Sequence, residues 1–238
     1  MKKLLFLGYK DSRLIPFLKS ELDVTQTEEK LNLEEILKLN PDKIISYGYR
    51  HIIKEDILDK YKIINLHIAY LPYNQGVSPN FFSFLENTPK GVTIHYMDKG
   101  IDTGDILLNK KIDFKNGTLN STYWDLRAEI EGLFIKNWND LRDEKINPTK
   151  QESGTYHDRE AEKLMKFLME KNNWDYSTQV NKIKDYGLKH GFWKYAEKED
   201  LEGLEKEMAW LKLDVDVGNS PISYRTLEKY KLLMEKMK

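Results

Sequence analysis

The chain has 238 residues, of which 40% are hydrophobic and 32% are charged. This apolar content is too high for a disordered chain, and the length is enough for one full core and a smaller second module. The 38 basic and 39 acidic residues give a formal net charge of -1, so the chain lacks the bulk positive charge on which nucleic-acid binding depends. The sequence contains no cysteine, which excludes disulfides, thiolate nucleophiles and cysteine-based zinc sites. We therefore expect neither a nucleic-acid partner nor a metal site.

The N-terminal segment MKKLLFLGYKDSR is basic and then apolar. Lys10 and Asp11 interrupt its apolar run before a secretory segment could form, so the run predicts a first strand. Elsewhere no apolar run approaches the ~20 residues that a membrane helix needs. From these features we expect a cytoplasmic protein with no membrane partner.

Apolar runs and helical patterns then alternate along the chain. The segments KLLFLGY, DKIISYGY and IINLHIAYLP predict strands, and RLIPFLKSEL, NLEEILKLN and KEDILDKY predict helices. GVTIHYMD and DILLNKKIDF predict two more strands, and STYWDLRAEIEGLFIKNWNDLRDE predicts one long amphipathic helix. This order indicates an α/β fold, a Rossmann-like domain over residues 1–150 with a mostly parallel sheet and helices on both faces.

A change in composition near residue 150 predicts a boundary. The stretch NPTKQESGTY is polar and contains the helix breakers Pro148 and Gly154. Beyond it, EAEKLMKFLMEKN and KEDLEGLEKEMAWL have helical spacing, and LKLDVDV alternates like a short strand before the turn GNSP. We expect residues 151–238 to form a small, mostly helical C-terminal region.

The commonest phosphate-binding motifs of α/β proteins are missing. A dinucleotide site would need G-x-G-x-x-G after the first strand, but FLGYKDSR supplies only Gly8. A Walker A motif is absent as well. Both absences weigh against a dehydrogenase or an NTPase.

The stretch NLHIAYLPYNQG sets two polar side chains inside a run that otherwise predicts a buried strand. Asn65 and His67 are two positions apart, so they share one face of the strand, near the carboxyl end where α/β sheets bind ligands. Taken alone, such a pair is more often a structural hydrogen-bonding pair than a catalytic one. The stretch GVTIHYMDKGIDTGDILL adds His95 and Asp102, although an aspartate beside glycine is also common in turns.

Together, Asn65, His67 and Asp102 would suit acyl transfer. An amide can donate to a developing oxyanion, a histidine can share a proton at neutral pH, and a carboxylate can orient that imidazole or an attacking amine. Direct attack by a substrate amine on a bound formyl group would need these groups and no serine nucleophile.

Asn65-Leu66-His67 before Leu71-Pro72, followed by GVTIHYMDKGIDTGDIL, resembles the formyltransferases that use N10-formyltetrahydrofolate. The resemblance covers about residues 43–110. It implies N10-formyltetrahydrofolate as formyl donor and catalytic roles for Asn65, His67 and Asp102. It also implies that the backbone of SYGYRHII borders the folate's pterin and that the loop from Asp98 to Asp102 forms the other wall. The cofactor-binding residues it implies are Tyr49, Arg50, His51, Ile52, Ile53, His95 and Asp98.

Within that family, LPYNQGVSPNFFSFLENTPKGVTIH resembles the nucleotide-sugar N-formyltransferases, with the dTDP-4-amino-4,6-dideoxyglucose enzymes as the nearest match, and GTYHDRE resembles the same branch. This implies a dTDP-linked 4-amino-4,6-dideoxy sugar as substrate, a role in surface polysaccharide (O-antigen) synthesis, and a homodimer formed through C-terminal elements. Methionyl-tRNA enzymes of the family are expected to differ in this stretch and to carry a larger C-terminal domain.

Several polar residues fall in predicted loops near the inferred site and could bind a diphosphate or sugar hydroxyls. They are Lys10, Asn74, Gln75, Asn80 and Lys90, each of which could equally be solvated surface. Trp174 and Trp193 could stack on a base, although aromatic residues beside helical patterns more often belong to a core.

Two alternatives remain open at this stage. The chain could formylate a different amine, either another amino sugar or methionyl-tRNA. It could instead be a catalytically silent sensor that binds a sugar nucleotide in the same pocket, although the intact Asn65, His67 and Asp102 argue against this.

Overall fold

A computed structural model describes residues 1–192 of the chain, which form two compact units. Unit 1 comprises Met1–Leu71, Gly91–Lys110 and Asp125–Glu152. Unit 2 comprises Pro72–Lys90, Lys111–Trp124 and the segment that begins at Ser153. One segment end thus lies close to the boundary predicted near residue 150. Unit 2 also takes in two stretches from the first 150 residues.

The predicted strands and helices occur in the predicted order, together with others that the sequence pattern did not indicate. The strands are β1 (Lys3–Gly8), β2 (Asp23–Thr27), β3 (Lys43–Tyr47), β4 (Ile63–His67), β5 (Gln75–Gly76), β6 (Gly91–Tyr96), β7 (Ile106–Lys111) and β8 (Tyr156–His157). The helices are α1 (Leu14–Lys19), α2 (Leu33–Leu39), α3 (Glu55–Leu58), α4 (Pro79–Leu85), α5 (Leu119–Lys136), α6 (Trp138–Arg142), α7 (Arg159–Lys171) and α8 (Val180–His190). Within residues 1–192, no helix combines the length and the apolar character that crossing a bilayer would require.

Unit 1 is organised around a sheet of six strands in the order β2-β1-β3-β4-β6-β7. Strand β1 pairs in parallel with β2 and β3, and β3 pairs in parallel with β4, whereas β6 runs antiparallel to β4. The predicted Rossmann-like fold with a mostly parallel sheet is therefore confirmed. Strand β2 was absent from the prediction because its sequence DVTQT is polar and lies at the edge of the sheet, where side chains stay partly exposed.

The central strands of unit 1 are buried on both faces, as parallel strands covered by helices usually are. One cluster of buried residues joins the sheet to α2 and α3 and consists of Leu5, Leu7, Ile36, Ile44, Ile53, Ile57 and Ile63. Helix α2 begins with a capping box, in which the Asn32 side chain accepts from the Glu35 backbone N–H and the Glu35 carboxylate accepts from the Asn32 backbone N–H. Burial fixes the central strands, and the capping box fixes the start of α2.

The long helix predicted over STYWDLRAEIEGLFIKNWNDLRDE is two helices, α5 and α6. The break falls at Asn137, whose side-chain amide donates to the Leu133 carbonyl at 2.8 Å. Asparagine favours such local side-chain bonds over helix continuation, so the correction has a simple cause in the sequence.

Unit 2 has its own core, formed mainly by α4, α7 and α8, and it also contains the two-stranded sheet of β5 and β8. Its buried residues include Phe81, Phe82, Phe84, Leu164 and Phe167. Helix α7 matches the predicted helix EAEKLMKFLMEKN. The predicted helix KEDLEGLEKEMAWL, the strand LKLDVDV, the turn GNSP and Trp193 all lie outside the described residues.

Candidate active site

Asn65 and His67 lie on β4 of unit 1, where alternate positions put both side chains on one face. The antiparallel ladder places Asn65 directly opposite His95 of β6 and His67 opposite Thr93. Each polar residue of the pair on β4 is only 9% exposed. Buried polar groups need hydrogen-bond partners, and the neighbouring strand and loop supply them.

The Asn65 amide bridges His95 and Asp102. Its Nδ2 lies 3.1 Å from His95 Nε2 and 3.1 Å from Asp102 Oδ1. His95 Nδ1 is 2.7 Å from the Tyr96 carbonyl oxygen, which can only accept, so Nδ1 carries the ring proton and Nε2 accepts from Asn65. Both hydrogens of the Asn65 amide are therefore engaged within the site. A role of Asn65 toward an oxyanion stays a prediction.

Asp102 lies close to both imidazoles. Its Oδ2 is 3.5 Å from His67 Nδ1 and its Oδ1 is 3.5 Å from His95 Nε2, and its side chain is 12% exposed. The backbone of Asp102 has a φ of 56°, in the left-handed region that aspartate tolerates better than most residues. The structure thus brings together the three predicted catalytic residues and His95.

The loop that carries Asp102 is fixed by hydrogen bonds within the loop and by a close approach to the end of β6. Asp98 Oδ1 accepts from the Gly100 N–H at 3.0 Å and from the Thr103 hydroxyl at 2.6 Å. Gly104 follows, and a Cβ at this position would lie 1.9 Å from the Tyr96 carbonyl oxygen. Only glycine allows this close approach, so the loop is tied closely to the end of β6.

The chain that leaves β4 is fixed by a buried threonine. The Thr93 hydroxyl donates to the Ala69 carbonyl at 2.7 Å and accepts from the Leu71 N–H at 3.0 Å. Thr93 also stands opposite His67 in the ladder, so these bonds anchor the backbone that follows the histidine. No sequence motif pointed to Thr93, because a threonine in a strand is unremarkable.

The predicted cofactor segment 49–53 leaves β3 at the same edge of the sheet. Tyr47 of β3 is level with Leu66 of β4, so the residues after Tyr47 start beside His67. The Tyr49 hydroxyl donates to the Glu29 carbonyl and accepts from the Leu31 N–H, and burial raises the pKa of this phenol. The remaining predicted residues differ in exposure: His51 packs edge-on against Tyr49, Arg50 and Ile52 are exposed, and Ile53 is buried.

A second polar network fixes the loop after β1. The Arg127 guanidinium donates to both carboxylate oxygens of Asp11, at 3.1 and 3.3 Å, and lies 4.2 Å from the centre of the Tyr9 ring. This guanidinium lowers the pKa of Asp11. Lys10 lies in the same loop, exposed, with its Nζ 3.9 Å from Glu28. Sequence reasoning missed Arg127 because it is one of many charges on an amphipathic helix.

The other predicted substrate-binding residues belong to unit 2. The Asn74 amide donates to the Thr88 hydroxyl at 2.7 Å, and the Asn80 amide donates to the Leu119 carbonyl at 2.9 Å and to the Thr122 hydroxyl at 3.1 Å. Asn74 and Asn80 are buried, so the alternative that they are solvated surface is wrong. Their role toward a substrate stays a prediction.

In unit 2, Gln75 is buried and Lys90 is half-buried. The Gln75 N–H donates to the Thr155 carbonyl at 2.9 Å, and Lys90 Nζ lies 5.1 Å from the centre of the Phe84 ring. Burial, with help from Lys184, lowers the pKa of Lys90 to about 8. Trp174 packs against the core of unit 2, as aromatic residues beside helical patterns usually do.

The geometry around Asp102 supports proton transfer and electrostatic stabilisation. A carboxylate between two imidazoles can take up a proton from a nucleophile, and an imidazole nitrogen facing a substrate can donate to a developing negative charge. The part of the chain that the structure describes contains no cysteine, so these groups act without a thiolate. The site fits transfer of a small acyl group to an amine.

Comparison with known proteins gives matches over most of the chain. A family model described as formyl transferase matches residues 11–132. The crystal structure of the formyltransferase PseJ from Anoxybacillus kamchatkensis is 43% identical, with a TM-score of 0.71, and the match covers 78% of this chain and 99% of that one. That structure holds UDP-4,6-dideoxy-4-formamido-L-AltNAc and tetrahydrofolate. A 4-N formyltransferase from Francisella tularensis shares the fold at 23% identity and a TM-score of 0.58, over 69% of this chain and 79% of that one.

Curated relatives match over a shorter part of their own length. The methionyl-tRNA formyltransferase of Clostridium tetani (strain Massachusetts / E88) is 30% identical over 173 residues, which are 70% of this chain and 56% of that protein. The methionyl-tRNA formyltransferase of Finegoldia magna (strain ATCC 29328 / DSM 20472 / WAL 2508) is 40% identical over 97 residues, 38% of this chain and 31% of that protein. The chain spans about half the length of the curated relatives it matches.

Proposed function

We propose, because the chain belongs to the formyl transferase family, that it moves a formyl group from N10-formyltetrahydrofolate to the amino group of a nucleotide-linked amino sugar. The family resemblance that the sequence indicated is confirmed. The observation that carries the proposed activity is the set of contacts around Asp102, which joins Asn65, His67 and His95 within 3.5 Å.

The segments proposed to border the folate have a surface that suits a flat heterocycle. Ile52, in the segment 49–53, is 69% exposed, and Ile101, in the loop 98–102, is 40% exposed. Covering such apolar side chains with a planar ligand is favourable because it removes their surface from water. The donor would supply a formyl group bonded to nitrogen, which an amine can attack without a covalent enzyme intermediate.

Each side chain then has a distinct task. Asp102 accepts the proton that the acceptor nitrogen releases as its bond to the formyl carbon forms. His67, with a proton on each ring nitrogen, donates from Nε2 to the formyl oxygen while its Nδ1–H faces Asp102. Asn65 and His95 keep the carboxylate in place, and the proton taken up at the site returns to the leaving nitrogen of the folate.

The acceptor is best represented by 4-amino-4,6-dideoxy sugars. PseJ, at 43% identity, binds a 4-formamido-4,6-dideoxy sugar on UDP. This supports the predicted position of the amino group, and we propose the UDP-linked sugar as first candidate beside the predicted dTDP-linked one. The role in surface polysaccharide synthesis, the cytoplasmic location and the homodimer stay predictions.

Methionyl-tRNA is the second candidate acceptor, because the curated relatives named above act on it by name. The balanced charge of this chain, with 38 basic and 39 acidic residues, argues against a surface that follows phosphates. A test would combine the purified chain with N10-formyltetrahydrofolate and four acceptors, the UDP- and dTDP-linked 4-amino sugars, a 3-amino sugar nucleotide and methionyl-tRNA. Release of tetrahydrofolate with the 4-amino sugar nucleotides and with neither of the other two acceptors would support the proposal. Tight sugar-nucleotide binding without release of tetrahydrofolate would favour the alternative that the chain is a catalytically silent sensor.

We expect no salt-dependent binding of tRNA at physiological ionic strength. Such binding depends on an excess of basic residues that neutralise phosphates, and this chain has 38 basic and 39 acidic residues. Fluorescence anisotropy with labelled initiator tRNA, measured at two salt concentrations, checks this. A dissociation constant in the micromolar range or tighter would overturn the amino-sugar proposal.

Replacing His67 by Ala should lower kcat by about 100- to 1,000-fold, the usual cost of losing one oxyanion donor. The KM for the sugar nucleotide should change little, since the lost interaction acts on the reacting oxygen. His190→Ala, on α8 of unit 2, is the matched control and should keep the activity of the parent. Near-native kcat in the His67 variant would contradict the role assigned to this ring.

A further inference from the structure

One side chain from a distant part of the sequence hydrogen-bonds to the backbone of the Asp102 loop. The Gln151 amide nitrogen lies 2.9 Å from the Asp102 carbonyl oxygen and 2.6 Å from the Gly104 carbonyl oxygen. Both of its hydrogens are directed at the backbone of the loop. The two carbonyls flank the turn at which the chain enters β7, so Gln151 spans the base of the loop.

The Asp102 backbone needs such a restraint. Its φ of 56° lies in the left-handed region, which L-residues seldom adopt, and residues held there depend on their surroundings to stay there. The loop's own bonds, from Asp98 to Gly100 and Thr103, do not include the carbonyl of Asp102. Gln151 bonds directly to the residue with the strained backbone.

Gln151 is itself placed by the sheet. Thr149 and Ile106 form an antiparallel bridge with two reciprocal backbone hydrogen bonds of 2.8 Å. In extended chain, Gln151 is two positions after Thr149 and points to the same side. The bridge therefore aligns the segment 149–151 with the start of β7, next to the loop that ends at Gly104.

We infer that Gln151 is a positioning residue for catalysis, which acts by holding the Asp102 carboxylate against Asn65 and His67. The inference rests on the proposed function, because it assigns Gln151 a task in that site. Gln151 lies in the polar stretch NPTKQESGTY, where its composition predicts only a linker. The inference requires the Gln151 amide to donate two hydrogen bonds. Substitutions that remove the N–H donors but keep the size of the side chain test this requirement.

Three substitutions separate donation from bulk. Gln151→Glu keeps the size but has no donor, and its carboxylate would face two carbonyl oxygens; Gln151→Ala removes the group; Gln151→Lys restores donors at similar reach. We expect kcat to fall by about 100-fold in the Glu variant and about 10-fold in the Ala variant, on the scale of a 1 Å misplacement, with recovery to within about threefold in the Lys variant. The KM for the amino-sugar nucleotide should stay within about twofold.

Glu152→Gln supplies the control, because Glu152 is exposed and, within residues 1–192, makes no hydrogen bond to the Asp102 loop. Rates are compared per folded molecule, with the folded fraction taken from thermal melts. If the Glu, Ala and Lys variants turn over at the same rate as the Glu152 control, the inference is wrong, whatever their melting temperatures.

A second readout does not require activity. The side-chain nitrogen resonances of the five histidines report ring environment, and Gln151→Glu should shift those of His67 and His95 while leaving His157 and His190 unchanged. If the parent protein transfers no formyl group to any acceptor, the proposed function fails and these spectra alone decide the role of Gln151. Unchanged His67 and His95 resonances would then overturn it.

Discussion

Asp102→Asn is expected to lower kcat by at least about 100-fold, the usual size of a positioned acid–base contribution. The carboxylate accepts from the Asn65 amide and faces both imidazoles, so an amide in its place would lose the charge and put an N–H group toward a donor or a ring. Asparagine also tolerates a left-handed backbone, so the φ of 56° can be kept. The change therefore isolates the chemistry of the carboxylate from the shape of the loop.

Stability should respond weakly to the same substitution. The side chain is 12% exposed and one hydrogen bond becomes unfavourable, which we expect to cost about 1 kcal/mol, or about 2–4 °C in Tm for a chain of this size. Thermal melts and steady-state formylation should be measured on one preparation, with the exposed Asp59→Asn as control. A sharp fall in Tm together with normal turnover by the folded fraction would show that Asp102 serves the fold.

Glu86→Ala is expected to destabilise the protein by about 3–5 kcal/mol, the cost of removing one partner from a buried ionisable pair. Glu86 and His157 are 4% and 1% exposed, their side chains meet at 2.6 Å, and the His157 ring stacks on Phe82 with centroids 3.9 Å apart. Burial raises the pKa of Glu86, while the adjacent imidazole opposes that shift. Without the carboxylate, the imidazole loses its bond to Oε1 inside an apolar core.

Urea unfolding, followed by aromatic fluorescence, measures this effect. Glu170→Ala, at an exposed position of α7, should stay within about 0.5 kcal/mol of the parent. The double variant Glu86→Leu with His157→Leu should recover much of the loss, because replacing both partners by apolar groups is often neutral. A loss below about 1 kcal/mol in Glu86→Ala would contradict a structural role for the pair.

The catalytic residues could be predicted because local patterns placed them near one strand end and the resemblance to folate-dependent formyltransferases implied their roles. A period of two placed Asn65 and His67 on one face of a buried strand, and the glycine-rich stretch after β6 marked the loop of Asp102. The fold class followed from the alternation of strand and helix patterns, which reflects burial on both faces of the sheet. These patterns require only neighbouring residues and simple geometry.

The rest depended on contacts between segments far apart in sequence. Gln151 reaches Asp102 across 49 positions, and nothing in a polar linker indicates which carbonyl its amide will meet. Arg127 bonds to Asp11 across 116 positions, and its sequence context is that of any charged helix. Asn80 stands in a stretch rich in turn formers and phenylalanines, yet its amide is buried against Leu119 and Thr122. Side-chain partners of this kind are set by the tertiary fold.

The assembly of unit 2 from separate segments bears on how the protein is made. On the ribosome, Asn74 emerges 81 residues before Thr155, to which its backbone N–H donates. At about 5–20 residues per second, the wait is roughly 4 to 16 s. During this time the apolar stretch PNFFSFL of α4 lacks α7 and α8, which cover it in the folded unit. The growing chain should therefore present this stretch to chaperones until residues beyond 180 have left the exit tunnel.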